Sequence, residues 1–463
     1  MILQIALSLL LTGIAMAAAP VYVVLWFDTE DYIEPAADDA ALRIATDLER
    51  LGVRATFKVA GEKARTLEAR GRVDVIRALS RHDIGYHANN HSIQPTPAVY
   101  LRDLGWLDGA AEFERREGPG AADVKRIFGV APSCYGQPGS SWGPQSYRAL
   151  LKMGIPVYLD EGSQVGLDSQ PFWFGSMLHV FGMDRFVMRA SLKEGDKLED
   201  AERKFDEAAA ELRRRGGGTI SIYYHPTEFV TTEFWDGVNF AKGASRERSE
   251  WVRPKARTKE DSERTFQVLA GFVRHIRKQP GVRFVTAREL PQLHQSPMGG
   301  TVSRETIARH MVDRIAFLET TDTVLSPAEM LQVLLGMKPR EVEGPTMRRT
   351  STYGGSEIPR ATFDRAKKDA ASFILKEGRL PAEAWLGVEF LSIADFAATL
   401  AGDDGKRPAV TVRRGRLEVE KYISKDPEHS FNWPIHPEGF SAPGLLDLAR
   451  LQAWTLKPAR LKK

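Results

Sequence analysis

The chain has 463 residues, 43% of them hydrophobic and 27% charged, a globular composition longer than one ordinary domain, which excludes a disordered or collagen-like protein. Lysine plus arginine total 64 against 61 aspartate plus glutamate, so the net charge of +3 is too small and too mixed to argue for a nucleic-acid partner. A single cysteine, Cys134, excludes an internal disulfide framework and a zinc site of paired thiolates; any metal must be held by histidine and carboxylate.

Met1 through Ala19 contain no charged side chain, and the apolar run from Ile2 to Met16 closes on small residues just before Pro20. This has the form of a secretory signal with an Ala-x-Ala cleavage site over residues 1–19, and it predicts a secreted or periplasmic, cell-envelope protein. An uncleaved anchor and a buried first element are the alternatives. The run is shorter than the roughly 20 residues that span a bilayer and none like it follows, so no integral span is expected in the mature chain.

From Val21 onward, short apolar runs alternate with amphipathic helical stretches, the pattern of a parallel sheet with crossover helices. Val21 to Phe27 reads as a strand buried on both faces. Ile44, Leu48 and Leu51 recur at helical spacing, Gly52 ends that helix, and Val53 to Val59 alternates apolar residues with Arg54, Thr56 and Lys58. Asp83 to Tyr86 and Val157 to Leu159 are further short strands. Leu198, Ala201, Phe205, Ala208 and Leu212 lie on one helical face, and Gly216 to Gly218 break that helix before the run Thr219 to Tyr224. A helix over Phe266 to Arg277 and the run Val282 to Val285 complete repeated units over residues 20–294, a length suited to an α/β barrel.

Gln295 to Gly300 form a polar linker, after which helical spacing replaces strand runs, so residues 301–463 are expected to be a mainly helical accessory domain. Within it, Leu325 to Leu331 is echoed by Leu391 to Ala397, and helices are expected around Phe317 and Phe373. Either a tandem of helical units or shared capping-box chemistry accounts for the echo, since each segment has a serine three residues before an acid. His429 and His436 lie in an aromatic, proline-rich segment and are expected to pack rather than bind metal. Lys457 to Lys463 read as a solvated basic tail.

The chemistry concentrates at strand ends. His87 and His91 follow the strand Asp83 to Tyr86, and on a helical turn side chains four apart converge on one cation. Asp28, Glu30 and Asp31 crowd the end of the first strand; one of them can be a helix cap, but three acids together are costly unless neutralised. One carboxylate with two histidines makes a three-ligand site with a position open for water, and a remaining carboxylate can take that water's proton. His225 ends the strand before Pro226, and Asp160 ends the strand Val157 to Leu159. Four strand ends carrying acids or histidines converge where α/β folds gather their ligands.

Over residues 21–293 these motifs resemble the polysaccharide deacetylases, the NodB-homology or carbohydrate esterase family 4 enzymes. Phe27-Asp28-Thr29-Glu30-Asp31 resembles the family's first motif, Arg54 to Gly61 its second strand, and His82 to His91 its metal-histidine motif. The resemblance implies a distorted (β/α)7-type barrel and removal of N-acetyl, or O-acetyl, groups from a cell-wall or extracellular polysaccharide. It implies Asp28 as catalytic base, Glu30, His87 and His91 as ligands of a divalent metal, zinc with cobalt or nickel as substitutes, and Asp31 as an alternative ligand. His225 would be the acid that protonates the leaving amine, with Asp160 as its partner. A backbone amide near Pro138 or Gly139 would face the oxyanion. One departure stands out: the family's arginine would fall on Gly136 or Gln137, and none is there. Hydrolysis of another non-peptide amide, or a catalytically weakened glycan-binding protein, are the competing functions. Farther on, Lys376 to Phe396 resembles the pseudomurein-binding repeat, which implies a cell-wall polymer as partner. The aromatic stretch Glu228 to Trp251 is expected to wall the substrate groove or to pack as a surface loop.

Overall fold

Nine residues from Val21 to Thr29 run with almost no polar interruption and lie at the centre of the molecule, because a strand flanked by parallel neighbours and covered by helices must be apolar on both faces. The computed structural model describes residues 19–296, 302–312 and 314–462; the expected signal, apart from Ala19, and much of the expected linker lie outside them. Strand β1 (Val21–Thr29) pairs in parallel with β2 (Thr56–Val59), and the sheet continues through β3 (Asp83–Tyr86), β4 (Cys134–Tyr135) and β5 (Val157–Leu159). A hairpin of β6 (Phe172–Phe174) and β7 (Met177–Val180) extends that side, while β8 (Val187–Met188) and β9 (Gly218–Tyr224) lie on the other side of β1, and β10 (Val282–Val285) pairs with its first half. The result is a curled, mostly parallel sheet with crossover helices, the α/β barrel class expected from the alternation.

Register decides which side chains meet. Asp28 stands opposite Lys58, and Lys58 opposite Gly85, so the three form one row across β1, β2 and β3. Because side chains alternate along each strand, that row shares one face of the sheet. Phe27 and Phe57 fall on the opposite face and stack at 4.9 Å.

The C-terminal region has the same order of elements twice: a helix, a two-stranded antiparallel ladder and a second helix. The first copy runs Arg304–Met311, Leu318–Glu319 with Val324–Leu325, and Pro327–Leu334. The second runs Arg360–Glu377, Glu383–Trp385 with Phe390–Ser392, and Ile393–Ala401. Ser326 and Glu329 form a full capping box, and Ser392 accepts from the Asp395 N–H, so each echoed segment marks a helix start. The helix expected around Phe317 instead lies earlier, and Phe317 stacks on Tyr422 at 6.0 Å.

The end of the chain returns to the barrel. Lys457–Pro458 adds an antiparallel strand to β6, and Leu445, Leu446 and Leu456 pack into the barrel's core. The expected solvated tail is therefore corrected from Lys457 to Ala459, which are buried: the Lys457 ammonium pairs with Glu329 at 2.7 Å. A charge can be taken from water there because a carboxylate meets it. No helix among the described residues is long and apolar enough to cross a membrane.

Candidate active site

Where β1 ends, Asp28 and Glu30 sit two residues apart on the same side of the chain, and both are buried. His87 follows β3, and His91 is brought back toward it by a turn rather than by the helical turn that the spacing suggests. Ala88 and His91 have φ of 60° and 51°, values no helix admits. This irregular backbone is fixed from outside. Gly61 and Glu62 N–H groups, at the start of the helix Gly61–Ala69, donate to the Ala88 and Asn89 carbonyls, and the Glu117 carboxylate accepts from the Asn89 N–H. Strain at a ligand turn persists only when its surroundings hold it in this way.

The three predicted metal ligands come together. Glu30 Oε2 lies 2.7 Å from His87 Nε2 and 2.8 Å from His91 Nε2, and the two nitrogens are 3.2 Å apart. His87 Nδ1 faces the Gly136 carbonyl at 3.1 Å, and since a carbonyl only accepts, Nδ1 carries the proton and Nε2 presents a lone pair. A lone pair and a carboxylate oxygen at 2.7 Å repel unless a cation or proton stands between them, so the donor set fits a divalent ion. Outer partners fix the ligands: Trp235 Nε1 donates to Glu30 Oε1 at 3.0 Å, and Ser92 Oγ lies 2.7 Å from His91 Nδ1. Burial opposes ionisation of Glu30, but the charge of His91 and the close approach of both imidazoles outweigh it and hold the carboxyl well below its ordinary range.

Asp31, the alternative ligand, is not brought to this cluster. Its Oδ1 accepts from the Ile33 and Glu34 N–H groups at 2.9 Å and its Oδ2 from Thr227 Oγ1 at 2.6 Å, so it caps the turn after β1.

Asp28 lies beside the cluster, with Oδ1 3.4 Å from His87 Nδ1 and Oδ2 3.6 Å from His225 Nε2. The pairing expected between His225 and Asp160 is not the one observed. His225 Nδ1 faces Glu228 Oε2 at 3.1 Å, and Glu228 is itself paired with Arg189 at 2.8 Å. The reason is local: Pro226–Phe229 coil into a 3-10 turn that swings the side chain three residues on back over the histidine. Burial opposes a charged imidazole, but the Glu228 carboxylate outweighs it and lifts His225 to about 9. Asp160 instead accepts from Lys58 Nζ at 2.7 Å and from the Glu161 N–H at 2.7 Å. Lys58 also fills the space against Gly136, one of the two positions, with Gln137, where the resemblance implied an arginine.

Sequence reasoning missed four contributors. Lys58 carried one available signal, an ammonium inside a short strand of a parallel sheet; Glu228 carried another, its place three residues after His225. Trp235 is fully buried and packs 5.3 Å from His91, so much of the aromatic stretch supports the site instead of facing a groove. Trp433 comes from the far end of the chain: its ring meets His91 edge-on at 5.5 Å, its Nε1 donates to Asp236 at 3.2 Å, and its N–H donates to Ser140 Oγ. Next to it, His436 stacks on Phe440 at 4.3 Å.

These side chains surround a cleft of about 440 Å³ lined by Asp28, Glu30, His87 and His91 together with Gln137, Gly139, Tyr223, His225, Phe234 and Trp433. A larger cleft, of about 540 Å³, lies in the C-terminal region around Arg348, Asp395 and Lys421 and contains none of the predicted site residues.

The fold and the site thus describe an α/β barrel with a carboxylate and two histidines clustered at its strand ends. No protein-family model and no curated protein matches the sequence. Solved structures similar to the chain include an allantoinase, 14% identical over 59% of this chain and 91% of that one, with a TM-score of 0.39. A protein of Pseudomonas aeruginosa PAO1 assigned as a polysaccharide deacetylase is 15% identical over 59% and 92%, with a TM-score of 0.38. The Xyl-CE4 domain of a multidomain xylanase from the hindgut metagenome of Trinervitermes trinervoides is 16% identical over 59% and 90%, with a TM-score of 0.32.

Proposed function

We propose that this protein is a metal-dependent hydrolase that removes acetyl groups from an acetylated polysaccharide. The observation that supports this reading is the convergence of Glu30, His87 and His91 on one point beside the Asp28 carboxylate, at the wall of an open cleft. Those three residues would hold a divalent ion, zinc by the chemistry of two imidazoles and a carboxylate, and the bound ion supplies Lewis acidity toward a water and an acetyl carbonyl.

The chain's own groups divide the proton transfers. Asp28 Oδ2 faces the cleft and takes the proton of the attacking water. His225, kept protonated at neutral pH by Glu228, gives its Nε2 proton to the leaving amine. Of Pro138 and Gly139, only Gly139 has an N–H to offer a developing oxyanion, and Gly139 lines the cleft. Tyr223, Phe234 and Trp433 supply aromatic surface for a sugar ring.

The test is acetate release from N-acetylated chito-oligosaccharides and peptidoglycan by zinc-loaded protein. Asp28→Asn is expected to keep zinc while kcat falls by about 10² to 10⁴-fold, the contribution of a positioned base. Wild-type turnover in that variant removes Asp28 from the mechanism, and bound zinc without acetate from any glycan favours another amide as substrate.

A further inference from the structure

We propose that Lys58 is a positioning residue of this site: its ammonium ties Asp28 to Asp160 and thereby fixes the direction in which the Asp28 carboxylate presents Oδ2 to the cleft. The proposal rests on the reading of Asp28 as the base.

Three observations carry it. First, Lys58 Nζ stands 2.9 Å from Asp28 Oδ1 and 2.7 Å from Asp160 Oδ2, and the lysine is fully buried. The other polar neighbours of Asp28 lie farther off, His87 Nδ1 at 3.4 Å and His225 Nε2 at 3.6 Å, beyond or at the edge of hydrogen-bond reach. Lys58 therefore makes the shortest polar contact to this carboxylate among the described residues, an ion pair. Second, the contact is anchored to the backbone: Asp160 Oδ1 accepts from the Glu161 N–H at 2.7 Å, so the chain of contacts runs from main chain to Asp160, to Lys58, to Asp28. Third, the route for the lysine is cleared by glycines. A Cβ at Gly85, its neighbour across the ladder, would come within 2.9 Å of Lys58 Cγ, and one at Gly136 within 2.0 Å of Nζ. The ammonium rests 4.0 Å over the Trp26 ring.

Stability does not explain this arrangement. Burying an ammonium and two carboxylates carries a desolvation cost that their attraction can fail to repay, and apolar side chains of the same volume commonly fold as well or better. What the charges add is geometry. Lys58 is absent from the cleft's lining, so it acts through Asp28 and does not touch substrate. A carboxylate free to rotate would spend part of its time with neither oxygen in line with the attacking water, and small misplacements of a reacting group cost on the order of 10²-fold in rate.

Lys58→Met keeps the length and removes the charge. In the zinc-loaded full chain it is expected to lower kcat by about 10²-fold while KM and zinc stoichiometry stay at the wild-type value. Lys58→Met/Asp160→Asn removes the now unpaired acid as well and should recover thermal stability without recovering kcat; joint recovery would mean that the lysine is merely structural and would overturn the proposal. Gly136→Ala, which drives a methyl into the ammonium, should lower kcat in the same direction with zinc retained. Should wild-type protein release no acetate from any glycan, the deacetylase reading fails, and Lys58 is then judged by the crystal structure of Lys58→Met. An Asp28 carboxylate still in its wild-type orientation there overturns the proposal; a rotated one upholds it.

Discussion

The barrel and the C-terminal region both reach the same cleft, but with different chemistry. Every buried acid and histidine of the metal-type cluster comes from strand ends of the barrel, where a parallel ladder fixes each Cα and buried partners fix each side chain. The C-terminal region brings none of these donors; it brings Trp433 and its neighbours as a wall, held by hydrogen bonds to Ser140 and Asp236. Strands of one sheet can hold atoms to a few tenths of an ångström, as a reaction demands, whereas a segment arriving from the far end of the chain shapes what enters.

The sharpest way to break this contrast is to cut the chain after residue 296. The barrel would lose the strand Lys457–Pro458 from β6 and the apolar cover of Leu445, Leu446 and Leu456. Each such fully buried side chain contributes about 1.5 to 3 kcal/mol, so the truncated barrel is expected to be insoluble or molten by near-UV circular dichroism. A cooperative melt near the full-length temperature would show that the two regions are energetically separate. Next in size is His87→Ala, expected to lose both zinc and turnover in metal analysis and acetate release, because two ligands cannot hold what three hold.

Glu228→Gln separates proton transfer from metal binding. With His225 at about 9 in the folded protein, above the ordinary histidine value, its protonated form persists through neutrality and is lost as pH rises through about 9, so activity should fall on that limb. Removing the Glu228 charge should move the limb of the pH–rate profile toward the ordinary histidine value with zinc unchanged; an unmoved limb assigns the acid to another group. The smallest effect is expected for Trp433→Ala: KM for the glycan should rise about 5- to 10-fold, ~1 kcal/mol, while kcat and zinc content hold. A collapse of kcat would place the C-terminal region inside the chemistry and erase the contrast.

Much of the barrel is legible in the sequence because its signals are local. Val21 to Phe27 is too continuously apolar to be anything but a doubly buried strand, and Val282 to Val285 coincides with β10. Glu30, His87 and His91 are legible for the same reason: each sits just past a strand end, and strand ends are where such folds keep their polar groups. The backbone between the histidines is not legible, since the left-handed conformations of Ala88 and His91 are imposed by Gly61, Glu62 and Glu117 from other segments.

By itself, the sequence determined the strands β1, β2, β3, β5, β9 and β10, the repeated starts of the C-terminal helices and the side chains able to hold a metal, because periodicity and capping act within a few residues. Tertiary structure decided the partnerships. Alternation along β2 says only that Thr56 and Lys58 share a face; lateral register across β1, β2 and β3 makes that face the interior of the site and sets Lys58 between Asp28 and Asp160. The same register leaves His225 to Glu228, and the return of the chain's end carries Trp433 onto His91. Contacts between residues far apart in the chain depend on how the sheet aligns and closes, and no short window of sequence contains that information.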